Sequence, residues 1–299
     1  MNITNLLSIK YPLIQGSMAR ISRHELVSAV SNAGGLGVLT SVGMDAGELS
    51  RQIDLVRSET DKPFAVNLML QQQNIPELVD VIADKYVAAV TTGAGTPKPY
   101  FEQLHAAQVK VIPVIPNVSI AKKMEQLGVD AVVAEGMESG GHIGQTTTMS
   151  LVPQVVDAVN IPVIAAGGIA DKRSVAAALV LGASGVQMGT AFLAAKETPI
   201  SAEYKNMVLS ASDTDTVITG MSLKDPVRSL KNPLVTKILE MEANGSDRDE
   251  IRTLLDGSLQ KAVYDGDVDR GSFMAGQIAG QIKAIKPVAN IIEEIFQKG

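Results

Sequence analysis

"IPVIAAGGIADKRSVAAALVLGASGVQMGTA", residues 161–191, decides the fold. A short apolar run (162–168) stops at a glycine pair, a helical pattern (171–182) stops at a glycine, and a second apolar run (185–190) ends in Gly189 and Thr190. Two strands joined by a helix of this length run parallel, since the crossover returns the chain to the same edge of the sheet. The unit repeats along the chain. Strands are expected near 11–16, 35–40, 64–70, 87–93, 110–116, 131–136, 162–168 and 185–190, with amphipathic helices at 22–34, 48–60, 119–128 and 171–182.

Eight strand–helix units predict an α/β TIM (β/α)8 barrel, although an open doubly wound sheet uses the same alternation. The first strand lacks the G-x-G-x-x-G of a Rossmann dinucleotide site, which favours closure. The alternation stops near residue 196. The expected domains are therefore a barrel over 1–196, a mostly helical lid or substrate-binding segment over 197–272, and a return to the barrel with a terminal helix over 273–299. A helical decoration away from the mouth is the plainer reading of the middle segment.

Composition narrows the chemistry. The chain of 299 residues has no cysteine, which removes disulfides, thiol nucleophiles and cysteine-ligated metals, and no metal-ligating set is assigned. A net charge of −6, no tryptophan and few aromatics argue against nucleic acid. Neither a signal sequence nor a long apolar span is legible, so no membrane association and a cytoplasmic location are expected.

In a TIM barrel the functional groups gather at the C-terminal ends of the strands. Gln15, Gly16, Ser17 and Met18 end the first strand, Asn67 the third, Thr91, Thr92 and Gly93 the fourth, and Glu135, followed by His142, the sixth. Gly167, Gly168, Gly189 and Thr190 end the last two, where loop N–H groups and a helix start can cradle a phosphate. The plainer reading is that these glycines only permit tight turns. A phosphate there, with Asn67 and Glu135 across the mouth, suits FMN, and no lysine stands at a strand end to hold pyridoxal phosphate. His142 lies in the glycine-rich "EGMESGGHIG" (135–144), which suits a loop that approaches a ligand, or a surface hydrogen-bonding group. His24 and His105 sit in helical patterns and are read as structural or solvated.

"VNLML", "TTGAG", "AEGMESGGHIG", "IPVIAAGGIAD", "QMGT" and "GDVDRGSFMAGQIAG" together resemble the FMN-dependent enoyl-acyl-carrier-protein reductases, within the wider nitronate monooxygenase (2-nitropropane dioxygenase) superfamily. The chain departs from the family around "MEANGSDRDE" and in its short tail. The resemblance implies FMN at the barrel mouth, NADH or NADPH as electron donor, and reduction of the trans-2 double bond of an enoyl thioester on acyl carrier protein in fatty-acid synthesis. It implies that Gly167, Gly168, Gly189 and Thr190 hold the FMN phosphate, and that Gly16, Ser17, Met18, Asn67, Thr92 and Glu135 surround the rest of the cofactor. His142 would be catalytic, donating a proton or a hydrogen bond to the enolate formed on hydride addition. Nitronate oxidation with FMN and oxygen is the alternative, and an aldolase or isomerase on the same barrel a third. Oligomeric state is open, a homodimer being one option. Lys224, Arg228, Lys231 and Lys237, with Asp225 opposing them, form a basic run expected to dock the acidic carrier protein, or else a solvated helix face.

Overall fold

Eight parallel strands follow one another around a barrel in the computed structural model, which describes residues 2–296. Met1 and residues 297–299, including the end of the expected terminal helix, lie outside the described residues. The barrel strands are β1 (Leu13–Gln15), β2 (Gly37–Thr40), β3 (Phe64–Met69), β4 (Ala89–Gly93), β5 (Lys110–Ile115), β6 (Val132–Glu135), β8 (Val163–Ala166) and β9 (Gly185–Met188). Each matches an expected strand, trimmed at its ends. Closure comes from β1, which pairs with β9 along Leu13–Gln15 and meets β2 through Ile14 and Leu36. Gln15 N–H donates to the Leu36 carbonyl at 2.9 Å, which joins the last edge. The open-sheet alternative is thereby excluded, and the fold is a TIM barrel.

Strand alternation sorts the side chains into two cores. Inside the barrel, small or branched residues such as Ala65, Ala89, Ile112, Val133 and Ile164 fill the narrow axis. Outside, Val66, Val90, Val111, Val132 and Ala165 pack against the surrounding helices. Ile3 and Leu7, from the short first helix, join the inner cluster.

The segment after the barrel is less uniformly helical than expected. It contains the helices Ala202–Ser210, Pro233–Ala243 and Arg248–Leu255, and between them a hairpin of β10 (Thr216–Thr219) and β11 (Val227–Leu230). That hairpin is completed by β7 (Gly141–His142), so the loop carrying His142 becomes the third strand of a small antiparallel sheet. The strands escaped sequence reading because each is four residues or shorter and the β11–β7 pairing joins segments far apart in the chain. Tyr204, Val208, Leu230 and Phe273 bury themselves with Ile21 and Leu193 in a separate apolar cluster that seats this segment on the barrel.

Candidate active site

The C-terminal mouth of the barrel and the small sheet enclose a cavity of about 490 Å³. This lies within the roughly 300–1,000 Å³ usual for cofactor and ligand sites. Of the expected residues, Gly16, Ser17, Met18, Asn67, Glu135, His142, Gly167, Gly168, Gly189 and Thr190 all line it.

Thr92 does not. Along β4, Ala89 belongs to the inner core and Val90 to the outer one, so Thr91 points inward and Thr92 outward. Thr91 is therefore the cavity residue, and its hydroxyl receives Asn67 Nδ2 at 2.9 Å. The Thr91 carbonyl, 3.3 Å from the same nitrogen, can only accept, which fixes the amide and leaves Asn67 Oδ1 as a free acceptor. Gln187, which lies in an expected strand but was not among the expected site residues, also lines the cavity. Both lie two residues before a strand-end glycine, Gly93 or Gly189, and that period-two spacing was the available signal.

The anion cradle differs from expectation in one part. Asp171 caps the helix Lys172–Val180 with its own side chain, accepting from Arg173 N–H and Ser174 N–H at 3.0 and 3.1 Å. The start of that helix is thus occupied by a carboxylate of the chain itself. What remains is loop backbone and the start of the short helix Thr190–Leu193, which no side chain caps. Gly167 and Gly168 have φ of 92° and 71°, a conformation that turns successive N–H groups toward one side and that L side chains rarely adopt. At Gly167 a Cβ would come within 2.7 Å of the Gly136 carbonyl, so the tight-turn reading applies there. At Gly168 and Gly189 the nearest contacts would be 3.5 and 3.8 Å, ordinary van der Waals distances, so space alone would admit a Cβ at either and at Gly168 only the φ disfavours it.

Glu135 ends β6 opposite Ala166 of β8 and faces the cavity, next to Gly167. Burial pushes its carboxyl up to about 7. Glu138, three residues on, is anchored: Thr148 N–H donates to both oxygens at 3.0 and 2.9 Å, and the Thr148 hydroxyl lies 2.9 Å from Oε2. Sequence reading missed Glu138, whose position depends on the fold of the loop.

His142 stands at the cavity rim, its side chain 49% exposed and its Nε2 3.5 Å from Asp225 Oδ1. Main-chain pairing holds it: Val227 is its register partner, and Ile143 N–H donates to the Pro226 carbonyl at 3.1 Å. His24 and His105 lie elsewhere, beside Glu59 and Asp130 respectively, at 2.8 and 3.0 Å. Two motif glycines have a packing role. A Cβ at Gly140 would lie 2.6 Å from the Ala275 carbonyl carbon, and one at Gly276 would lie 2.6 Å from the Glu138 carbonyl oxygen. The stretches "ESGGHIG" and "FMAGQIAG" therefore meet backbone to backbone above the cavity, and Gly276 N–H donates to Thr190 Oγ1 at 2.8 Å.

The basic run does not form the expected patch. Arg228 is only 3% exposed; its Nε and Nη2 donate to the Met137 carbonyl at 3.1 and 3.0 Å and its Nη1 to Thr216 Oγ1 at 3.2 Å. It faces inward because Arg228 pairs with Gly141 and its side chain reaches the loop that precedes β7. Lys224, Lys231 and Lys237 are exposed, and Asp215 as well as Asp225 now lies among them, with Lys231 close enough to hold the Asp215 carboxyl below its usual range after its Ser212 hydrogen bonds.

A nitronate monooxygenase family profile matches residues 1–78 and 73–298. The chain belongs to the nitronate monooxygenase family. This is a family of oxidoreductases. A "probable nitronate monooxygenase" of Staphylococcus saprophyticus is 33% identical, with 98% of this chain and 96% of that protein covered. Among solved structures, FabK of Thermotoga maritima superimposes with a TM-score of 0.95 at 49% identity, covering 98% of this chain and 94% of the other. The nitroalkane oxidase of Streptomyces ansochromogenes gives a TM-score of 0.85 at 27% identity, covering 98% and 96%. No helix among the described residues is long and apolar enough to cross a membrane.

The mouth fits FMN by the chemistry of its donors and acceptors. Gly168 and Gly189 bring side-chain-free backbone to the cavity wall for a phosphate, Asn67 Oδ1 offers an acceptor to a ring N–H, and Ser17 Oγ is a buried hydroxyl on the cavity wall with no hydrogen-bond partner among the described residues.

Proposed function

We propose that this member of the family reduces the trans-2 double bond of an enoyl thioester delivered on acyl carrier protein, with FMN bound at the barrel mouth and NADH or NADPH as electron donor. The observation that carries this reading is the 49% identity with FabK over 98% of the chain. The cavity agrees with it: Ile21, Met69, Leu193, Leu259, Met274 and Ile278 line its walls, which suits an acyl chain better than a small free anion.

Bound FMN would supply the hydride for the β-carbon. The chain's own residues bind, orient and protonate. Gly167, Gly168, Gly189 and Thr190 hold the phosphate, while Gly16, Ser17, Met18, Asn67 and Glu135 surround the remainder. His142, at the rim, donates a proton to the α-carbon or a hydrogen bond to the thioester oxygen as negative charge develops there.

Nitronate oxidation is the second reading, favoured by the names of the curated relatives and of the Streptomyces structure. The two are separated by presenting the NAD(P)H-reduced protein, without oxygen, with an enoyl thioester, and the oxidised protein, in air, with an alkyl nitronate. Rapid flavin reoxidation by the thioester supports the reductase. Nitronate turnover with an inert thioester overturns it.

A further inference from the structure

The cavity that fits a phosphate cofactor is poor in cations: its one basic side chain among the described residues is the half-exposed His142 at the rim. Among the described residues no lysine or arginine lines it, whereas Glu135, Glu138 and Asp225 do. A cofactor phosphate would therefore add negative charge to a site that already holds carboxyl groups.

The three carboxyls are not equivalent. Asp225 stands at the rim, 65% exposed, with the His142 ring 3.5 Å away, so solvent screens it. Glu138 accepts from the amide N–H of Thr148, and its charge is felt by the buried guanidinium of Arg228. Glu135 lies half-buried against the cavity, with no lysine or arginine beside it there among the described residues. It sits on the inward-facing register of β6, opposite Ala166 and thus beside the Gly167–Gly168 turn, where the phosphate would lie. Asn67, Thr91 and Ser139, all uncharged, line the same cavity, Ser139 near enough to oppose the effect of burial, and so does Tyr204, whose phenol donates its hydrogen to the Met274 carbonyl. Burial already raises the Glu135 carboxyl to about 7 before any anion arrives.

We propose that Glu135 is the group that takes up a proton from solvent when FMN enters the barrel mouth, and that it remains a neutral hydrogen-bonding acid in the complex. This rests on the FMN reading above. A neutral carboxyl removes the repulsion and can donate to a carbonyl or hydroxyl of the cofactor, which an ionised one cannot. Binding coupled to proton uptake must weaken as pH rises above the value of the free carboxyl.

The test is a dilution series of the full-length holoprotein, in which FMN release is followed by its fluorescence. Between about pH 7 and 9 the phosphate is already at least about nine-tenths ionised and so contributes little to the slope, its second ionisation lying near 6. The FMN dissociation constant should rise about tenfold or more across that window in the wild type, and by less than about twofold in Glu135→Gln, which copies the neutral acid. Difference infrared spectra of the wild-type holoprotein at about pH 8 should show the C=O stretch of a protonated carboxylic acid, absent from Glu135→Gln. A wild-type constant that stays flat, as compensation by a bound cation would make it, overturns the proposal. So does an equal slope in Glu135→Gln, or a wild-type spectrum without the band. In each of those cases FMN still binds and the functional reading stands. A wild-type protein that retains no FMN at any pH overturns the cofactor reading, and this proposal with it.

Discussion

His142 and Val227 are register partners in an antiparallel sheet, although 84 residues separate them in the chain. The histidine therefore belongs to the added segment as much as to the barrel. Its ring position depends on β11, and β11 in turn is tied to the loop before β7 by Arg228, whose guanidinium donates to the Met137 carbonyl.

Replacing His142 with alanine should leave FMN bound and the reduction of the flavin by NAD(P)H unchanged. Reoxidation by an enoyl thioester should slow by roughly 10²-fold or more, the size of a lost general acid or oxyanion donor. Stopped-flow measurement of the two half-reactions separately checks this. Equal oxidative rates in mutant and wild type would make His142 a structural residue of the small sheet.

Gly168→Asp should largely abolish FMN retention while the barrel still folds. The φ of 71° disfavours any side chain, the Cβ alone would lie 3.5 Å from Glu138 Cβ, and the new carboxylate would bring negative charge to the place proposed for the phosphate. Flavin absorbance of the purified protein, alongside its circular dichroism, reports both halves of the expectation.

Arg228→Met should lower thermal stability and slow substrate reduction together. It removes the donors to the Met137 carbonyl and to Thr216 Oγ1 in a buried setting. Loss of a buried, charge-assisted hydrogen bond costs about 1.5–3 kcal/mol. Chemical denaturation measures the stability term, and an unchanged midpoint would mean that the β11–β7 pairing holds without the guanidinium.

The proposed carrier-protein docking would rest on the exposed Lys224 and Lys231, since Arg228 is buried. Reversing both lysines to glutamate should raise KM for a carrier-bound enoyl substrate, more so at low salt, and leave a short enoyl-CoA nearly unaffected. If both substrates respond alike, the lysines steer nothing.

Glu135→Gln should also change how flavin-free protein responds to pH. The native carboxyl lies near 7 against 4.5 in a solvated carboxyl, so the wild type loses stability relative to the glutamine variant as pH rises above 4.5, with the loss complete above about 7. The full difference is on the order of 3 kcal/mol, at 1.36 kcal/mol for each tenfold step. Melting temperatures at acid and mildly alkaline pH give the sign, and parallel curves for the two proteins would contradict it.

Sequence by itself determined the barrel and most of its mouth. The eight strands are apolar runs short enough to read directly, and the helices between them end at glycines or begin at caps such as Asp171. Because a TIM barrel places function at strand ends, knowing the strands was nearly enough to name Gly16, Asn67, Glu135, Gly168 and Gly189. Only the tertiary structure decided what depends on pairing between distant segments or on side-chain direction. Thr91 rather than Thr92 enters the cavity because a pleated strand shows alternate residues to opposite faces. Arg228 left the expected docking surface because strand pairing with Gly141 carries its side chain to the Met137 carbonyl. The β11–β7 ladder that positions His142 has no local signature, since its strands are too short to show periodicity and become strands only when the chain brings them together.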